Sequence, residues 1–324
     1  MAGSRLRAIA GDRAALVAAL VAALVFAVLV VACIAAPLYA DRVAETTPSA
    51  NHLTDQVTID GEPTNVVSLT GVPIGPTWQQ QFLLGADENG RDLMVRLLYG
   101  GRTSLEIAAG AVALTLLLAI PLALLAGYFG GRVDSLVSRL LDLIWSFPAL
   151  LLAVLLGTAL SVTGAQIGPF KIASGSSLIP ILVIGLVYVP YIARPLRGQV
   201  LSLRRQPFVE AARAAGSGDA RVMASELLPH LWSTVLVLAT LSLVNAVILE
   251  SALSFLGAGV DPPDPSIGTL IAGGLDTIGL SPHLLLVPCA ALVALVLSLS
   301  VLAEGLRRTL DPRGSFTVDS GRGQ

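Results

Sequence analysis

Long apolar segments dominate this sequence and place the strongest limit on its fold. A helix needs about 20 mainly apolar residues to cross the roughly 30 Å hydrocarbon core of a bilayer. Six segments approach or meet this length, some of them with one polar residue inside. They run from Ala14 to Tyr39, Ser104 to Tyr128, Leu140 to Val162, Leu178 to Ala193, Leu231 to Leu256, and Leu284 to Ala303. We therefore predict an all-α membrane protein with six transmembrane helices.

The composition agrees with this prediction and excludes several classes of protein. Only 13% of the residues are charged, whereas soluble domains carry about 25%. The formal net charge is −2 and there is no basic tail, so we predict no nucleic-acid partner. His52, His230 and His283 never fall at ligand spacing, and Cys33 and Cys289 lie in apolar runs typical of packing residues. We predict no metal site.

The first apolar segment has two interpretations. Arg5, Arg7 and Arg13 precede it and its end is rich in alanine, as in a cleaved signal peptide. Its apolar run is longer than the core of a usual signal peptide. We therefore favour an uncleaved anchor that is the first transmembrane helix.

The distribution of basic residues predicts the orientation in the membrane. If the N-terminus is cytoplasmic, 15 of the 20 basic residues fall in inner segments. The outer segments then hold only Arg42, Arg91, Arg96, Arg102 and Lys171. Inner loops of membrane proteins are enriched in Lys and Arg, so we predict that both termini are cytoplasmic.

These spans divide the chain into four regions. Residues 1–40 form a cytoplasmic tail and the first helix, and residues 41–102 form an extracytoplasmic insertion. Residues 103–306 form a core of five helices that contains the loop 206–229. Residues 307–324 form a second cytoplasmic tail.

The extracytoplasmic insertion carries a hairpin signal. Asp60-Gly61 separates two β-prone runs, Gln56–Ile59 and Asn65–Leu69, and Asp-Gly is a preferred two-residue turn. We predict a small β-hairpin. It would either dock a binding protein or cap the helix bundle.

The loop 206–229 has the pattern of a helix–turn–helix. Pro207 suits the first turn of a helix over Val209–Ala215. Gly216 and Gly218 can adopt the left-handed conformation that ends it. Asp219 can then cap a second short helix, and Pro229 marks the entry to the fifth span.

The first of these helices offers a surface of small side chains. It carries one charge, Glu210, beside Ala211, Ala212, Ala214 and Ala215. Small side chains allow close approach of another backbone, so this surface could enter a groove of a partner protein. The alternative is an amphipathic loop that lies on the membrane.

The same loop resembles the EAA loop of ABC importer permeases. Glu210-Ala211-Ala212, then Gly216, then Leu228-Pro229 match that family's pattern. The sequence departs from it at Glu226, where the family usually has an aliphatic residue.

Three further stretches resemble the C-type permease subunit of dipeptide and oligopeptide importers. The segment Leu84–Asp92, followed by Arg96–Leu105, is similar to the region before that family's core. Leu253–Gly257, with Gly259–Pro263 after it, matches its outer loop, and Gly305–Arg313 resembles its C-terminal end. The resemblance extends from Leu84 to Arg313.

This resemblance implies a type I ABC importer permease fold in a bacterial inner membrane. A homologous B-type permease subunit, two ATPase subunits and an extracytoplasmic substrate-binding protein are the implied partners, with membrane lipid around them. Peptides would cross by alternating access. The residues implied to couple the permease to an ATPase subunit are Glu210, Ala211, Ala212, Ala215, Gly216, Leu228 and Pro229.

The chain itself is not predicted to be an enzyme. It has no Gly-x-x-x-x-Gly-Lys-Ser/Thr phosphate loop. We expect no bound cofactor in this chain, and ATP and Mg²⁺ in the ATPase partners.

Polar residues within the spans are candidates for the translocation pathway. A charge at mid-bilayer costs about 2.5–3.5 kcal/mol, so Glu250 needs a role. We predict that Asn245, Glu250 and Ser254 line the pathway or a gate; the alternative is that they bond neighbouring helices. Near the span ends, Asp142 is predicted to pair with Arg139, and Glu304 with Arg307.

Three other functions remain open from the residues alone. The cargo could be nickel, an opine, glutathione or another small solute, since such permeases would look alike. A secondary transporter would need coupling-ion carboxylates within the spans, and an intramembrane enzyme would need a catalytic constellation there. The sequence shows neither the carboxylates nor the catalytic constellation clearly.

Overall fold

The computed structural model describes residues 2–59, 61–167, 170–173 and 176–310. The tail after Leu310, with the last residues of the C-terminal resemblance, therefore lies outside the described residues. The helices are α1 (Ala2–Ile34), α2 (Ala36–Tyr39), α3 (Leu93–Phe129), α4 (Gly131–Trp145), α5 (Ala149–Thr163), α6 (Leu178–Val187), α7 (Val189–Leu203), α8 (Pro207–Ala214), α9 (Asp219–Arg221), α10 (Leu228–Phe255), α11 (Ile267–Asp276) and α12 (His283–Leu310). Two π-helical turns cover Ala40–Ala44 and Val222–Leu227. The strands are β1 (Gln56–Ile59), β2 (Glu62–Asn65), β3 (Ala165–Ile167) and β4 (Phe170–Ile172).

The predicted all-α membrane fold is confirmed. Among the described residues, five helical segments are long and apolar enough to cross a bilayer, or six if the bent pair α4–α5 is one span. The prediction of a continuous third span from Leu140 to Val162 is wrong, because α4 and α5 meet at 84°. Pro148 stands just before α5, and the residue before a proline is driven out of the helical conformation.

The fourth span is longer than predicted. It continues from Leu178 to Leu203, beyond the expected end at Ala193, because the amphipathic helix α7 follows α6 directly. A single residue, Tyr188, separates the two helices. Pro190 in the first turn of α7 lacks the N–H that would continue the ladder of α6.

Helix α3 is the central element, and it packs against α6, α7 and α10. Its buried face is formed by small residues, among them Ala108, Ala111, Ala119 and Ala123. Small residues at helix interfaces let membrane helices approach closely, because burial against lipid gives no hydrophobic gain. At Gly127 an added Cβ would lie 2.5 Å from the Cβ of Val200 on α7. This close packing holds α3 against its neighbouring helices.

The two ends of α3 carry different structures. The hairpin β1–β2 lies near its start, and we call this the hairpin end. The loop 206–229 lies near its last residues, at what we call the loop end. One apolar cluster, with Ile107 and Leu253, fills the half nearer the hairpin, and another, with Leu196 and Leu231, fills the other half.

The predicted β-hairpin is confirmed in the insertion. Strands β1 and β2 are antiparallel, with Gln56 opposite Asn65 and Ile59 opposite Glu62. The second strand therefore precedes the run that we expected from Asn65 onward. Val57 and Ile59 pack against a small cluster that includes Phe82. A second hairpin, β3–β4, was not predicted.

The insertion is fastened to the start of α3. Asp92 caps this helix by accepting the amide of Val95, and its other oxygen accepts the amide of Phe82 at 2.7 Å. Burial raises the pKa of this carboxyl, although the two amides oppose the shift. The guanidinium of Arg96 donates to the carbonyl of Pro48 at 2.9 Å. These contacts fit the cap interpretation, and docking of a binding protein stays a prediction.

Candidate functional site

Helix α8 and its turn take the form that the sequence predicts. Pro207 is the first residue of α8, where a missing N–H costs nothing. Gly216 follows the helix with φ of +83°, a conformation that glycine adopts without steric cost. The turn is closed by the amide of Ser217, which donates to the carbonyl of Ala212 at 3.1 Å.

The second half of the loop differs from the prediction in three ways. Asp219 does not cap a helix: it is the first residue of α9, and Gly218 stands before it. Its carboxylate instead accepts the hydroxyl of Tyr128 on α3 at 2.7 Å. There is also no separate second helix, because the helical path continues from Asp219 to Phe255. Gly218 has φ of −68°, so only Gly216 is left-handed in this turn.

Pro229 lies inside this continuous path, in the first turn of α10. A proline removes one hydrogen bond of the ladder and crowds the preceding turn. The π-helical turn Val222–Leu227 stands immediately before this point, and prolines and π-helical turns are both common positions of helix kinks. The loop therefore runs without a break into the helix that contains the fifth span.

Apolar contacts fix α8 to the base of α10. Val209, Val222, Leu227 and Leu231 are all fully buried in the same cluster. The ring of Phe208 stacks on that of His230 with centroids 4.6 Å apart. The loop is therefore a packed part of the helix bundle.

Polar contacts fix the loop to the end of α3. The Tyr128 hydroxyl, which donates to Asp219, accepts from Arg213 Nε at 3.2 Å. The Arg213 guanidinium also lies 4.7 Å from the centroid of the Tyr128 ring, within cation–π range. Arg204 donates to the carbonyls of Gly127 and Tyr128 at 3.0 and 3.1 Å. Helix C-termini favour such cations, because their last carbonyls have no partner in the helix.

The predicted coupling residues divide into an exposed face and an inner support. Glu210, Ala211, Ala215, Gly216 and Pro229 are exposed, whereas Ala212 and Leu228 are half-buried. Ala212 packs against the buried cluster, so the surface of four alanines that we predicted has three: Ala211, Ala214 and Ala215. We call Glu210, Ala211, Ala214, Ala215 and Gly216 the small-residue face.

A polar pocket of about 520 Å³ adjoins the small-residue face. Its lining is Tyr128, Phe129, Arg204, Arg205, Glu210, Arg213 and Asp219. Sequence reasoning did not identify Tyr128 as part of this site. Tyr128 is the last residue of the second apolar segment, and its partner Asp219 lies 91 positions further along the chain.

Two of the three predicted pathway residues lie together at the hairpin end. Glu250 is fully buried, and its carboxylate accepts the hydroxyl of Ser254 at 2.8 Å. Ser254 in turn accepts the amide of Val260 at 3.1 Å. Ser104 on α3 and Ser266 before α11 lie around the same carboxylate. Sequence reasoning missed these two serines, since they are far away in the chain.

This arrangement makes Glu250 a junction of three helices. Ser266 caps α11 through a reciprocal pair of hydrogen bonds with Thr269. Ser104 accepts the amide of Ile267 at 3.2 Å. The carboxylate therefore lies where α3, α10 and the start of α11 meet, as the helix-bonding alternative describes; a role in the pathway stays a prediction.

Asn245 lies apart from this cluster. Its side chain is half-buried, and its backbone carbonyl accepts the hydroxyl of Tyr188 at 3.3 Å. Tyr188 is the residue that separates α6 from α7. Asn245 therefore contacts the junction of α6 and α7, whereas Glu250 contacts the serines.

One of the two predicted ion pairs is wrong. Asp142 binds Arg194 on α7 at 2.6 Å, because α7 packs alongside α4; we had expected Arg139 on its own helix. The second pair is confirmed: Glu304 binds Arg307 at 3.1 Å and also Arg308 at 2.8 Å. Asp134 forms a further pair with Arg197.

Comparison with known proteins places this architecture in context. Residues 119–315 match the family described as "Binding-protein-dependent transport system inner membrane component". The chain is 37% identical over 242 residues to the "Di/tripeptide transport system permease protein DppC" of Pseudomonas aeruginosa (strain UCBPP-PA14), covering 74% of this chain and 76% of that protein. It is 35% identical over 239 residues to the "Oligopeptide transport system permease protein OppC" of Escherichia coli (strain K12), covering 74% of each.

A solved structure has a similar fold. It is described as "Inward facing conformations of the MetNI methionine ABC transporter: CY5 native crystal form". The TM-score is 0.53 at 20% identity, over 68% of this chain and 98% of that chain.

Proposed function

The chain belongs to the family of binding-protein-dependent transport system inner membrane components, and from this membership we propose that it is the subunit through which an ATP-driven importer passes di- or oligopeptides. It is a permease with several membrane-spanning helices. The observation that carries the proposal is the small-residue face: an exposed, nearly uncharged surface that is rigidly joined to two spanning helices.

The loop end faces the cytoplasm in this proposal. The loop 206–229 carries Arg213 and Arg221, with Arg204 and Arg205 just before it. Cytoplasmic segments near spans carry most of the basic residues of a membrane protein. The hairpin end then faces outward, both termini are cytoplasmic, and the membrane is the inner membrane of a bacterium.

The small-residue face is the coupling surface to an ATPase subunit. Alanine and glycine let the backbone of α8 come close to a groove, and Glu210 adds one directed charge. ATP and Mg²⁺ are bound by the ATPase subunits, and this chain binds no cofactor. When ATP binding closes the ATPase dimer, it moves α8, and α8 carries α10 and α3 with it through Val209 and Tyr128.

The proposed transport cycle is alternating access. A homologous B-type permease subunit forms the other wall of the pathway, and an extracytoplasmic binding protein delivers the peptide. ATP shifts the equilibrium between inward-open and outward-open states only through its different affinity for the two. The rigid contacts of the loop are what a rocking motion of whole helices requires.

The similarity to the di/tripeptide and oligopeptide permeases supports peptide cargo. The test is reconstitution of the assembled importer in proteoliposomes, with its ATPase subunits and binding protein, and measurement of labelled tri-alanine uptake. We expect uptake that needs ATP and competes with unlabelled peptide. Uptake of nickel or another non-peptide solute in place of tri-alanine would contradict the peptide assignment, and a chain that transports alone would contradict the subunit assignment.

A further inference from the structure

A bent span and a junction between two helices meet at one place in the molecule. The α4–α5 pair bends by 84° at Ser146–Pro148, and Tyr188 separates α6 from α7 within a single span. Residues of the bend and of the junction line the same pocket of about 420 Å³. We call this the elbow pocket. Its lining includes Trp145, Phe147, Pro148, Tyr188 and Tyr191.

The elbow pocket lies deep in the membrane region. Helix α6 has 10 residues before the junction at Tyr188, which at 1.5 Å per residue places that residue about 15 Å below the start of the helix. This is roughly half of a 30 Å hydrocarbon core. In membrane transporters, interrupted helices near mid-depth are the usual position of a cargo site.

The lining of the elbow pocket combines aromatic surface with a few placed polar groups. Tyr188 and Tyr191 are half-buried and meet edge to face, with centroids 6.2 Å apart. Trp145 and Phe147 are 51% and 53% exposed, so their faces are free to contact another molecule. Pockets for small ligands have volumes of about 300–1,000 Å³ and mainly apolar, aromatic walls.

An ion pair stands at the edge of the elbow pocket. The Arg194 guanidinium lies 5.0 Å from the centroid of the Trp145 ring and binds Asp142 at 2.6 Å. Charged side chains within membrane spans pair with one another and face the bundle interior or a water-filled cavity. A peptide with free ends carries one charge of each sign, and this pair complements both.

We propose that the elbow pocket holds an aromatic or large apolar side chain of the transported peptide while the peptide crosses the middle of the membrane. Trp145, Tyr188 and Tyr191 contact the side chain, and Arg194 and Asp142 face the charged ends of a short peptide. This inference rests on the proposed function and adds a specificity site within the permease itself.

The first test identifies what occupies the pocket. Phe147 is replaced by the photoreactive p-benzoylphenylalanine in the assembled transporter, and labelled Ala-Phe-Ala is supplied with ATP. We expect a covalent adduct with the peptide that excess unlabelled peptide prevents. The same replacement at Trp232, which is exposed on α10 outside the pocket, should give no such adduct. Adducts only with the second permease subunit, or only with lipid, would overturn the proposal.

The second test measures selectivity, with uptake of Ala-Phe-Ala compared with Ala-Ala-Ala. Loss of an aromatic contact in Trp145→Ala or Tyr191→Ala should lower this ratio roughly two- to tenfold. The matched control Trp232→Ala should leave it unchanged. If the wild-type importer carries both peptides and neither pocket variant changes the ratio, the elbow pocket is not a cargo site and the proposed function still stands. If the wild-type importer carries neither peptide, the proposed function itself fails.

Discussion

The hairpin end and the loop end of this permease both contain a polar cluster, but the two clusters differ in what they leave exposed. At the hairpin end, Glu250, Ser254 and Ser266 are buried and satisfy one another and nearby amides. At the loop end, Tyr128 and Asp219 hold the loop from behind while the small-residue face stays open. The first cluster completes a contact within the chain, and the second leaves exposed the surface that we propose binds another protein.

Two glycines also differ between the buried hairpin end and the exposed loop end. Gly268 on α11 is pressed against the carbonyl of Ser251, so that any Cβ would overlap it. At Gly216 none of the described residues has an atom within 4 Å of such a Cβ, yet the φ of Gly216 is +83°. Glycine is needed for close packing at the hairpin end and for backbone conformation at the loop end.

The strongest test of the loop end is Gly216→Pro. Proline fixes φ near −65°, so it cannot adopt the left-handed turn that ends α8. We expect ATP-driven uptake to fall to background while the protein remains in the membrane at normal abundance. Gly218→Pro is the matched control, because φ is already −68° there and no atom of the part of the chain that the structure describes lies within 4 Å of an added Cβ. Normal uptake by the Gly216 variant would show that the left-handed turn after α8 is not needed for coupling.

The corresponding test of the hairpin end is Glu250→Leu. Ser254 then loses its acceptor, and a buried polar group left without a partner costs about 1–3 kcal/mol. We expect a lower temperature of unfolding in detergent, with a smaller effect for Glu250→Gln, which keeps an acceptor oxygen. Equal stability of the leucine variant and the wild type would show that the serine cluster does not hold α11.

Gly268→Ala tests whether this glycine is needed for close packing, in contrast to Gly216. The added methyl group must push α11 away from α10, and overpacking of this kind costs about 1–3 kcal/mol. Gly273→Ala on the same helix is the control, since the added methyl group meets no described residue within 4 Å and alanine favours a helix. Thermal unfolding should separate the two variants, and a Gly268 variant as stable as the control would contradict the packing role.

The smallest predicted effect is that of Tyr128→Phe. It removes one hydroxyl that donates to Asp219 and accepts from Arg213, and such hydrogen bonds contribute about 0.5–1.5 kcal/mol. We expect normal assembly but less peptide imported per ATP hydrolysed. Tyr39→Phe, whose hydroxyl donates to the carbonyl of Gln80 at 3.5 Å, should not change this ratio. An unchanged ratio in the Tyr128 variant would show that the contact is not part of the coupling.

Much of this architecture can be predicted from the sequence because local patterns determine it. Span length follows from apolar runs, and the turn after α8 follows from Pro207 and Gly216. The β-hairpin follows from its Asp-Gly turn. In each case residues close in the chain carry the information.

The errors arise where distant residues decide the outcome. Asp219 has the side chain of a good helix cap, but Tyr128 binds it across 91 positions of the chain. Asp142 prefers Arg194 to its helical neighbour because α7 packs beside α4. The serines around Glu250 meet only when α3, α10 and α11 have packed. No pattern within a single segment indicates such meetings.

The central claim is that the small-residue face seats on an ATPase subunit, and a photoreactive residue at Ala211 tests it most directly. The assembled transporter is purified in mild detergent with p-benzoylphenylalanine at this position, illuminated and analysed for adducts. We predict an adduct with the ATPase subunit, and none from the same residue at Leu69, which is fully exposed at the hairpin end. Adducts from position 211 with lipid or with this chain alone would contradict the account.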